Sequence, residues 1–488
     1  MSPEPAGEPA VETAPTRAPA PSPTAAEIAT EIADPDATAP EALSPTTSKP
    51  WTAADPDTWD QLRRAAAWVL LGNWAGGSTV PSRTLYPHQW SWDTAFIAIG
   101  LRHLSPRRAS RELETLFAAQ WPDGRVPHIV FNDSVAADAY FPGPDFWQAG
   151  VPGEGGQRLH TSGIVQPPVH ALAAWLTHRA DPEDSVRRGV PRRLYPRLAA
   201  WHDYLLAHRD LGGAGLAAIV HPWESGMDNS PCWDGPLARV TPADPASYVR
   251  RDLAHANPAD RPTDLDYGRY VRLCADYRAQ DYDDTRTAHA FAVEDPCFNA
   301  LLAVSEAALA QLAEVAGADP GPHLERALAL RQALLDRLWD PGAGQFLCRD
   351  LRAPDRPLID GRSISGLVPL ILPDLPPDVS EALLATVRGD HFGLGKAHLV
   401  PSYDLQGPAF DPSRYWRGPS WFNTAWLVHR GLGGYGAEEE AKRLREALLD
   451  AAGRTNFSEY LDPYTGEGRG IWGFSWTAAT ALDLLAQG

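Results

Sequence analysis

The sequence is short of cysteine and of positive charge, and both shortages exclude classes of protein. Its 488 residues include only four cysteines, which lie far apart without a CxxC pair: Cys232, Cys274, Cys297 and Cys348. This spacing argues against a zinc site or a disulfide framework and favours buried free thiols, as in a reducing compartment. Acidic residues outnumber basic ones by 62 to 43, which gives a formal net charge of -19. Neither nucleic acid nor an anionic membrane surface is therefore an expected partner.

Long apolar runs and targeting signals are also missing from the sequence. No stretch reads as a membrane span, and the N-terminal region lacks the basic start and apolar run of a secretory signal. Residues 1–50 contain eleven prolines and no aromatic residue, which predicts a disordered tail. The composition is uniform from residue 51 onward, so we predict one catalytic domain over residues 51–488 and a cytoplasmic location.

Apolar residues at helical spacing dominate the rest of the chain, and no run of alternating residues predicts a strand. One helix face carries Leu301, Val304, Ala308, Leu312 and Val315, and another carries Leu324, Leu328, Leu335 and Leu338. Weaker patterns predict ten more helices, at 57–72, 92–103, 106–120, 166–178, 188–208, 363–372, 377–388, 420–432, 438–453 and 475–487. About twelve helices suit a solenoid, a bundle or six hairpins closed into a toroid. Long loops at 121–168, 221–270 and 401–421 argue against a regular solenoid.

Aromatic residues are abundant, with eighteen tryptophans, many of them in these loops. Four clusters combine tryptophan with carboxylates: YPHQWSWDTAF at 86–96, QWPDGRVPH at 120–128, HPWESGMDNSPCWD at 221–234, and YWRGPSWFN at 415–423 with NFSEYLDPYTGEGRG at 456–470. Aromatic faces pack on the apolar side of a pyranose, while two carboxyl groups move the protons of glycoside hydrolysis. The clusters therefore predict a sugar site, the alternative being tryptophans that only close loops over the core.

The ordered motifs QWSWD, DGRVPH, HPWESGMDNS, YWRGPSW, EYLDPYTGEG and FSWTA resemble the clan of (α/α)₆ glycoside hydrolases around family 63, from about Tyr86 to the C-terminus. The resemblance implies an all-α toroid of about twelve helices with long loops on its active-site face. The clan includes processing α-glucosidases and bacterial mannosylglycerate and glucosylglycerate hydrolases. The compact length favours the latter, because the processing enzymes add a large β-domain. We expect an inverting hydrolase of an α-glycoside of glycerate, with glucosylglycerate preferred and mannosylglycerate possible.

The resemblance also assigns the two carboxylates that perform the reaction. Asp228 matches the family's general acid, and burial or a nearby negative charge has to raise its pKa for that role. Glu224 is its competitor, and the structural alternative is that Asp228 only caps a turn. Glu459 matches the general base, with Asp462 and Glu467 as alternatives more typical of a turn. Inversion requires the two carboxyl groups to stand roughly 6.5–9.5 Å apart.

Further residues match the family's substrate contacts, although each aromatic residue taken singly also suits a core. One expected wall consists of Tyr86, Trp90, Trp92, Asp93 and Gln166, the opposite wall consists of Tyr415, Trp416 and Trp421, and Trp223 adds a further surface. Arg261 and Tyr267 match the segment for the glycerate carboxylate, which an arginine fork binds with two parallel hydrogen bonds. The alternative for Arg261 is a surface ion pair. We interpret Asp123, Gly124, Arg125 and His128 as scaffold.

Other functions remain open from the sequence alone. The first is an α-glucosidase that acts on a neutral oligosaccharide, and the others are a lyase or epimerase on the same toroid and a sugar-binding protein. No HExxH motif, histidine pair at ligand spacing or calcium loop appears, so we expect neither a metal nor an organic cofactor. The expected partner is a small sugar substrate, and a homo-oligomer is possible.

Overall fold

The computed structural model describes residues 56–253 and 257–487. The tail predicted for residues 1–50 lies outside these ranges. Helices account for most of the regular structure: α1 Pro56–Gly72, α2 Ser91–Leu101, α3 Pro106–Ala118, α4 Pro144–Trp147, α5 His170–Ala180, α6 Pro182–Arg187, α7 Val190–His208, α8 Asp234–Ala238, α9 Asp264–Arg278, α10 Pro296–Ala316, α11 Gly321–Leu338, α12 Pro377–Arg388, α13 Phe422–Leu432, α14 Glu438–Arg454 and α15 Ser475–Leu485.

Six segments close into a ring. In order around the ring they are α2, α5, α10, the 3₁₀ turn Val368–Ile371, α13 and α15, and α15 packs back against α2. A second layer surrounds the ring: α1 packs on α15, α3 on α2, α7 and α11 on α10, and α14 on α13, while α12 follows the 3₁₀ turn in the chain. The fold is thus an (α/α)₆ toroid, and its twelve segments are the twelve predicted from helical spacing.

Apolar and small residues allow the helices of the inner ring to be buried and to pack closely. Every residue of α2 is buried, and a β-carbon on Gly100 of this helix would lie 2.4 Å from the α-carbon of Ala479 on α15. The two helix backbones therefore touch, which only glycine at this position allows. Helix α10 is long and apolar enough to span a membrane by length and composition, contrary to the sequence prediction, but most of it is buried in the toroid. Burial of α10 in the core therefore explains its apolar composition.

Short strands, which the sequence did not predict, pair within the loops, and three of them directly precede inner helices. They are β1 Gln89–Trp90, β2 Ile129–Val130, β3 Ala149–Pro152, β4 Arg158–Thr161, β5 Ala218–Ile219, β6 Val293–Glu294, β7 Trp339–Asp340, β8 Gln345–Phe346, β9 Arg349–Asp350, β10 Ser420–Trp421, β11 Tyr460–Leu461 and β12 Gly468–Arg469. The antiparallel sheets have the orders β1-β2-β4-β3, β10-β11-β12, β5-β6-β9 and β7-β8. Strands β1 and β10 lead directly into α2 and α13, so the motif loops gather on one face of the ring.

Two helix predictions need correction. The segment 363–372 forms two 3₁₀ turns, Ile364–Gly366 and Val368–Ile371, because Pro369 at the start of the second turn cannot donate a helical hydrogen bond. On α11, helical spacing predicts a buried face that includes Leu324 and Leu328, but these two residues are 45% and 56% exposed. Leu338 of the predicted face is buried, as expected, and the other buried residues of α11 are His323, Leu330 and Leu334.

Candidate active site

A cavity opens where the N-terminal ends of α2 and α15 meet the motif loops. It encloses about 480 Å³, including the space at its open mouth. Ten of the thirteen predicted site residues line it, namely Tyr86, Trp90, Trp92, Asp93, Gln166, Trp223, Asp228, Tyr415, Trp416 and Glu459, together with Pro81, His128, Tyr140, Gly226, Phe474 and Trp476. Arg261, Tyr267 and Trp421 are the predicted residues outside this lining.

The first aromatic wall comes from the start of α2 and from the loop before it. The Trp90 ring meets the edges of Tyr86 and Tyr140 at centroid distances of 5.3 and 5.2 Å. The Gln166 side chain accepts a hydrogen bond from the Trp92 amide at 3.1 Å, which joins this wall to the segment before α5. Asp93 lies in the first turn of α2, and its burial raises its pKa, to which Glu459 and Asp228 contribute.

The opposite wall contains Tyr415 and Trp416, but the prediction for Trp421 is corrected. Trp421 is fully buried and stacks behind Trp416 at a centroid distance of 3.9 Å. Its indole nitrogen donates to the Tyr415 carbonyl at 3.1 Å. Trp421 therefore supports the wall from the protein side, a role that buried tryptophan commonly has.

The backbone around Asp228 is held in place on every side. Gly226 has φ +71°, and a β-carbon there would fall 2.5 Å from the Trp92 ring, so the turn requires glycine. The Tyr270 hydroxyl donates to the Asp228 carbonyl at 2.8 Å, and the Asn229 side chain accepts from the Trp416 amide at 2.9 Å. The turn that follows is capped by Ser230, so the capping alternative for Asp228 does not hold.

The environment of the Asp228 carboxyl favours its protonated form. Burial raises its pKa to about 7, Arg261 opposes this rise, and Glu459 and Asp252 add to it. A carboxyl group with this pKa holds a proton near neutral pH, as a general acid must. Both physical conditions that the sequence analysis required, burial and nearby negative charge, are present.

Glu224, the competing candidate for the acid, lies outside the cavity in a buried ion pair. Both of its carboxylate oxygens accept from Arg209, at 2.8 and 3.0 Å, and they also accept from the amides of Val165 and Val220. Arg209 contacts Asp284 as well, at 3.1 Å. These contacts bind Glu224 to the protein on both carboxylate oxygens and make it part of the scaffold behind the Asp228 loop.

We predict that Glu224→Ala lowers the free energy of unfolding by about 3 kcal/mol, because it leaves the buried Arg209 guanidinium without one of its two carboxylate partners. Urea unfolding followed by tryptophan fluorescence measures this change, with Glu224→Gln as the control that keeps the shape. The folded fraction of the alanine variant should keep a kcat within a few fold of wild type. A stable variant with a kcat lost by orders of magnitude would instead place Glu224 in the chemistry.

Hydrogen-bond donors surround the Glu459 carboxylate. The Tyr86 hydroxyl donates at 3.0 Å, the Tyr415 hydroxyl at 3.5 Å and the Ile471 amide at 3.3 Å. Burial raises the pKa of Glu459, while Arg261 and these donors lower it. Gly470 has φ +74°, and a β-carbon there would lie 2.3 Å from Glu459 Oε2. Only glycine therefore leaves this carboxylate room in its present position.

The two alternatives to Glu459 occupy the neighbouring hairpin turn. Asp462 accepts hydrogen bonds from the amides of Tyr464 and Thr465 at 2.9 and 3.1 Å, as the turn interpretation predicts. The Glu467 side chain is 71% exposed. Neither carboxylate lines the cavity.

Arg261 is buried beside the catalytic candidates, so the alternative of a surface ion pair is wrong. It donates to the Tyr86 hydroxyl at 3.0 Å, and its guanidinium lies 4.6 Å from the centroid of the Tyr415 ring. Tyr267 lies on α9 and donates its hydroxyl to the Phe141 carbonyl at 3.0 Å. The structure therefore places Arg261 next to the cavity and Tyr267 one layer further out.

His128 and Tyr140 line the cavity, although neither was predicted as a site residue. His128 was interpreted as scaffold, but its ring lies parallel to Trp223 at a centroid distance of 6.1 Å. Burial lowers the pKa of His128 to about 3, so the ring is neutral and can accept or donate a hydrogen bond. The DGRVPH motif was the available signal for His128, whereas no feature of the sequence marks Tyr140.

The toroid with paired carboxylates in an aromatic cavity defines the class of protein, a glycoside hydrolase. The family described as the mannosylglycerate hydrolase MGH1-like glycoside hydrolase domain matches residues 86–477, and the chain belongs to this family. Mannosylglycerate hydrolase of Rubrobacter radiotolerans is 42% identical over 88% of this chain and 98% of its own length. Glucosylglycerate hydrolase of Mycolicibacterium hassiacum is 38% identical over 87% and 98%.

A solved structure agrees with this assignment. The family 63 mannosylglycerate hydrolase of Thermus thermophilus, crystallised with Tris and D-glycerate, is similar at a TM-score of 0.79 and 42% identity, over 86% of this chain and 99% of that one. Neutral trehalase of Saccharomyces cerevisiae, at 16% identity and a TM-score of 0.53, shares the fold alone.

Proposed function

We propose that this enzyme hydrolyses an α-glycoside of glycerate with inversion, with Asp228 as general acid and Glu459 as general base. The observation that carries the assignment is the difference in hydrogen bonding between Glu459 and Asp228, two of the three carboxyl groups that line the cavity beside Asp93. Glu459 receives hydrogen bonds from two tyrosines and an amide, which stabilise its ionised form. Among the described residues, no other residue donates a hydrogen bond to the Asp228 carboxylate, and burial raises its pKa to about 7, so Asp228 suits the role of the proton donor.

These protonation states match the two halves of an inverting hydrolysis. Asp228 gives its proton to the glycosidic oxygen as the bond to the anomeric carbon breaks. Glu459 takes a proton from the water that attacks the opposite face of the sugar. The aromatic walls formed by Trp90 and Trp416 pack against the sugar, and Asp93 and Gln166 contact its hydroxyl groups.

Arg261 is the residue that suits the glycerate carboxylate. A buried guanidinium next to the cavity binds a carboxylate with charge-assisted hydrogen bonds and penalises a neutral ligand that leaves it unpaired. The names of the relatives support a glycerate aglycone but differ in the sugar. We expected glucosylglycerate to be preferred, whereas the two most similar relatives described above carry the mannosyl name.

The substrate and the stereochemistry are tested together by proton NMR of fresh digests of glucosylglycerate, mannosylglycerate and the neutral disaccharide kojibiose. We expect one glycerate glycoside to exceed kojibiose in kcat/KM by about 10²-fold or more, because a buried charge without its partner is costly. The first anomer to appear should be β, before mutarotation. Faster cleavage of kojibiose would contradict the glycerate assignment, and α-sugar as the first product would contradict inversion.

We also infer a cytoplasmic enzyme that acts on a small solute. All four cysteines are buried free thiols, which a reducing compartment preserves. The possible homo-oligomer stays a prediction, which light scattering of the full chain measures.

A further inference from the structure

A bidentate ion pair joins the opposite wall to residues 227–234, the acid loop that carries Asp228. Arg417 follows Trp416 in the chain and donates to both carboxylate oxygens of Asp234, at 2.8 and 2.7 Å. The same guanidinium donates to the Asn229 carbonyl at 3.4 Å. The Arg417 side chain is 12% exposed. One largely buried cation therefore binds the acid loop at two points, directly after Asp228 and at the end of the loop.

The acid loop is also closed on itself. Asp234 begins α8, and the indole of the preceding residue, Trp233, donates to the Met227 carbonyl at 2.7 Å. Residues 227 and 233 are thus held together on the two sides of Asp228. A displacement of Asp234 therefore moves the backbone on both sides of the acid.

The wall segment has a backbone conformation that its contacts must maintain. Tyr415 has φ +40°, in the left-handed region that residues other than glycine rarely adopt. A conformation of this kind persists where the surrounding structure fixes it. Directly after Tyr415, the Trp416 amide donates to the Asn229 side chain at 2.9 Å, and Arg417 binds Asp234. The wall and the acid loop therefore fix each other.

We propose that Arg417, through its ion pair with Asp234, is a positioning residue that holds the Asp228 carboxyl where it protonates the glycosidic oxygen. This inference rests on the proposed function, in which Asp228 is the general acid. Proton transfer requires the donor within hydrogen-bond reach of the leaving oxygen, so it is the step that depends most on the position of the acid loop.

The base depends less on this ion pair. Of the three donors to Glu459, the Tyr86 hydroxyl and the Ile471 amide belong neither to the acid loop nor to the opposite wall. Only Tyr415 belongs to the wall, and its hydrogen bond is the longest, at 3.5 Å. Loss of the ion pair should therefore impair the acid more than the base.

The test compares two substrates that differ in their need for the acid. Arg417→Met removes the ion pair and keeps a long side chain. We expect kcat on the preferred glycerate glycoside to fall about 10-fold or more, because a small displacement of a catalytic group strongly lowers the rate. On the α-glycosyl fluoride of the same sugar, whose leaving group needs little protonation, kcat should stay within about twofold of wild type. The ratio of the two rates does not depend on the fraction of folded enzyme.

The partner residue gives an independent reading. Asp234→Asn is a milder change, because the Asp234 side chain is 52% exposed, and it should lower the same ratio. If the two residues act as a pair, the double variant Arg417→Met/Asp234→Asn lowers the ratio no further than Arg417→Met alone. Arg417→Lys should recover part of the ratio, since lysine keeps the charge but not the two parallel hydrogen bonds.

A matched control lies at the other end of α8. Arg239 donates to both carboxylate oxygens of Asp350, at 2.8 and 2.6 Å, and this ion pair joins α8 to β9. Arg239→Met therefore removes a bidentate ion pair of the same kind, and it should leave the ratio of the two rates at the wild-type value. An equal fall of the ratio in Arg239→Met would show that general loosening of α8, and not Arg417, sets the position of the acid.

Two other results would overturn the positioning role. Equal losses of kcat on the glycoside and on the fluoride in Arg417→Met would show that the ion pair only supports the wall or the fold. Wild-type rates on both substrates would show that Asp228 keeps its position without the pair. Either result leaves the proposed function intact, because that function is tested by Asp228→Asn in the same two assays.

Discussion

An enzyme with Asp228→Asn is expected to lose about 10³-fold in kcat on the preferred glycerate glycoside, because asparagine cannot protonate the leaving oxygen. Asparagine keeps the shape of the side chain, and the surrounding backbone is fixed by Tyr270 and Asn229. KM should therefore change by less than about tenfold. Steady-state kinetics at pH 6–8 measure both constants.

The control for this variant is a substrate that does not need the acid. Fluoride leaves an α-glycosyl fluoride without full protonation, so Asp228→Asn should retain most of the wild-type rate on the fluoride of the preferred sugar. The alkaline limb near pH 7, which follows the pKa of about 7 that burial gives Asp228, should be absent from this reaction. Equal losses on the glycoside and on the fluoride would show that Asp228 is not the general acid.

The same substitution should stabilise the protein. An unfolded chain leaves an aspartate near a pKa of about 3.9, whereas burial raises that of Asp228 to about 7. Ionisation of Asp228 therefore costs folding free energy that grows between these pH values and stays constant above them. We expect Asp228→Asn to be more stable than wild type at pH 8 by at least about 1 kcal/mol, and to gain little at pH 4. Thermal unfolding at both pH values tests this difference.

Helices with a strong hydrophobic pattern could be predicted from the sequence. Helices and contacts that depend on other interactions could not. Spacing alone marks both layers of helices, but it does not show which of them close the inner ring. The first half of helix α9 lies in the predicted loop 221–270, and three of the seven buried residues of this helix are tyrosines, which weakens its hydrophobic pattern. The sequence does contain a helix-start signal for α9, because Thr263 is an N-cap residue whose hydroxyl accepts a hydrogen bond from the Asp266 amide.

The site was predictable through its motifs, and its finer geometry was not. Asp228 and Glu459 are 231 positions apart in the sequence, and the closed ring brings both to one cavity. Sequence motifs do not distinguish a residue that lines a cavity from one that lies behind it, which is the difference between Trp416 and Trp421. Nor do they show that Tyr86, assigned to the sugar wall, donates to Glu459.

Glu459→Gln is expected to lower kcat by about 10³-fold on the glycerate glycoside and also on the α-glycosyl fluoride, because both reactions need a deprotonated attacking water. This pattern differs from that of Asp228→Asn, for which the fluoride remains a good substrate. The two variants together therefore assign the acid and the base separately. Initial rates on both substrates at pH 6 give the comparison, and near-UV circular dichroism confirms that the aromatic cavity is intact.

A smaller side chain at the same position allows a chemical rescue. Glu459→Ala leaves space beside Tyr86 and Ile471, and azide, a nucleophile that carries no proton to remove, should restore turnover and release the β-glycosyl azide. Gly470→Ala is the positioning control: its β-carbon displaces the Glu459 carboxylate without removing it, so kcat falls and azide gives no rescue. Release of the α-glycosyl azide from Glu459→Ala would mean that attack occurs from the face of the leaving group, which is incompatible with Glu459 as the base of an inverting reaction.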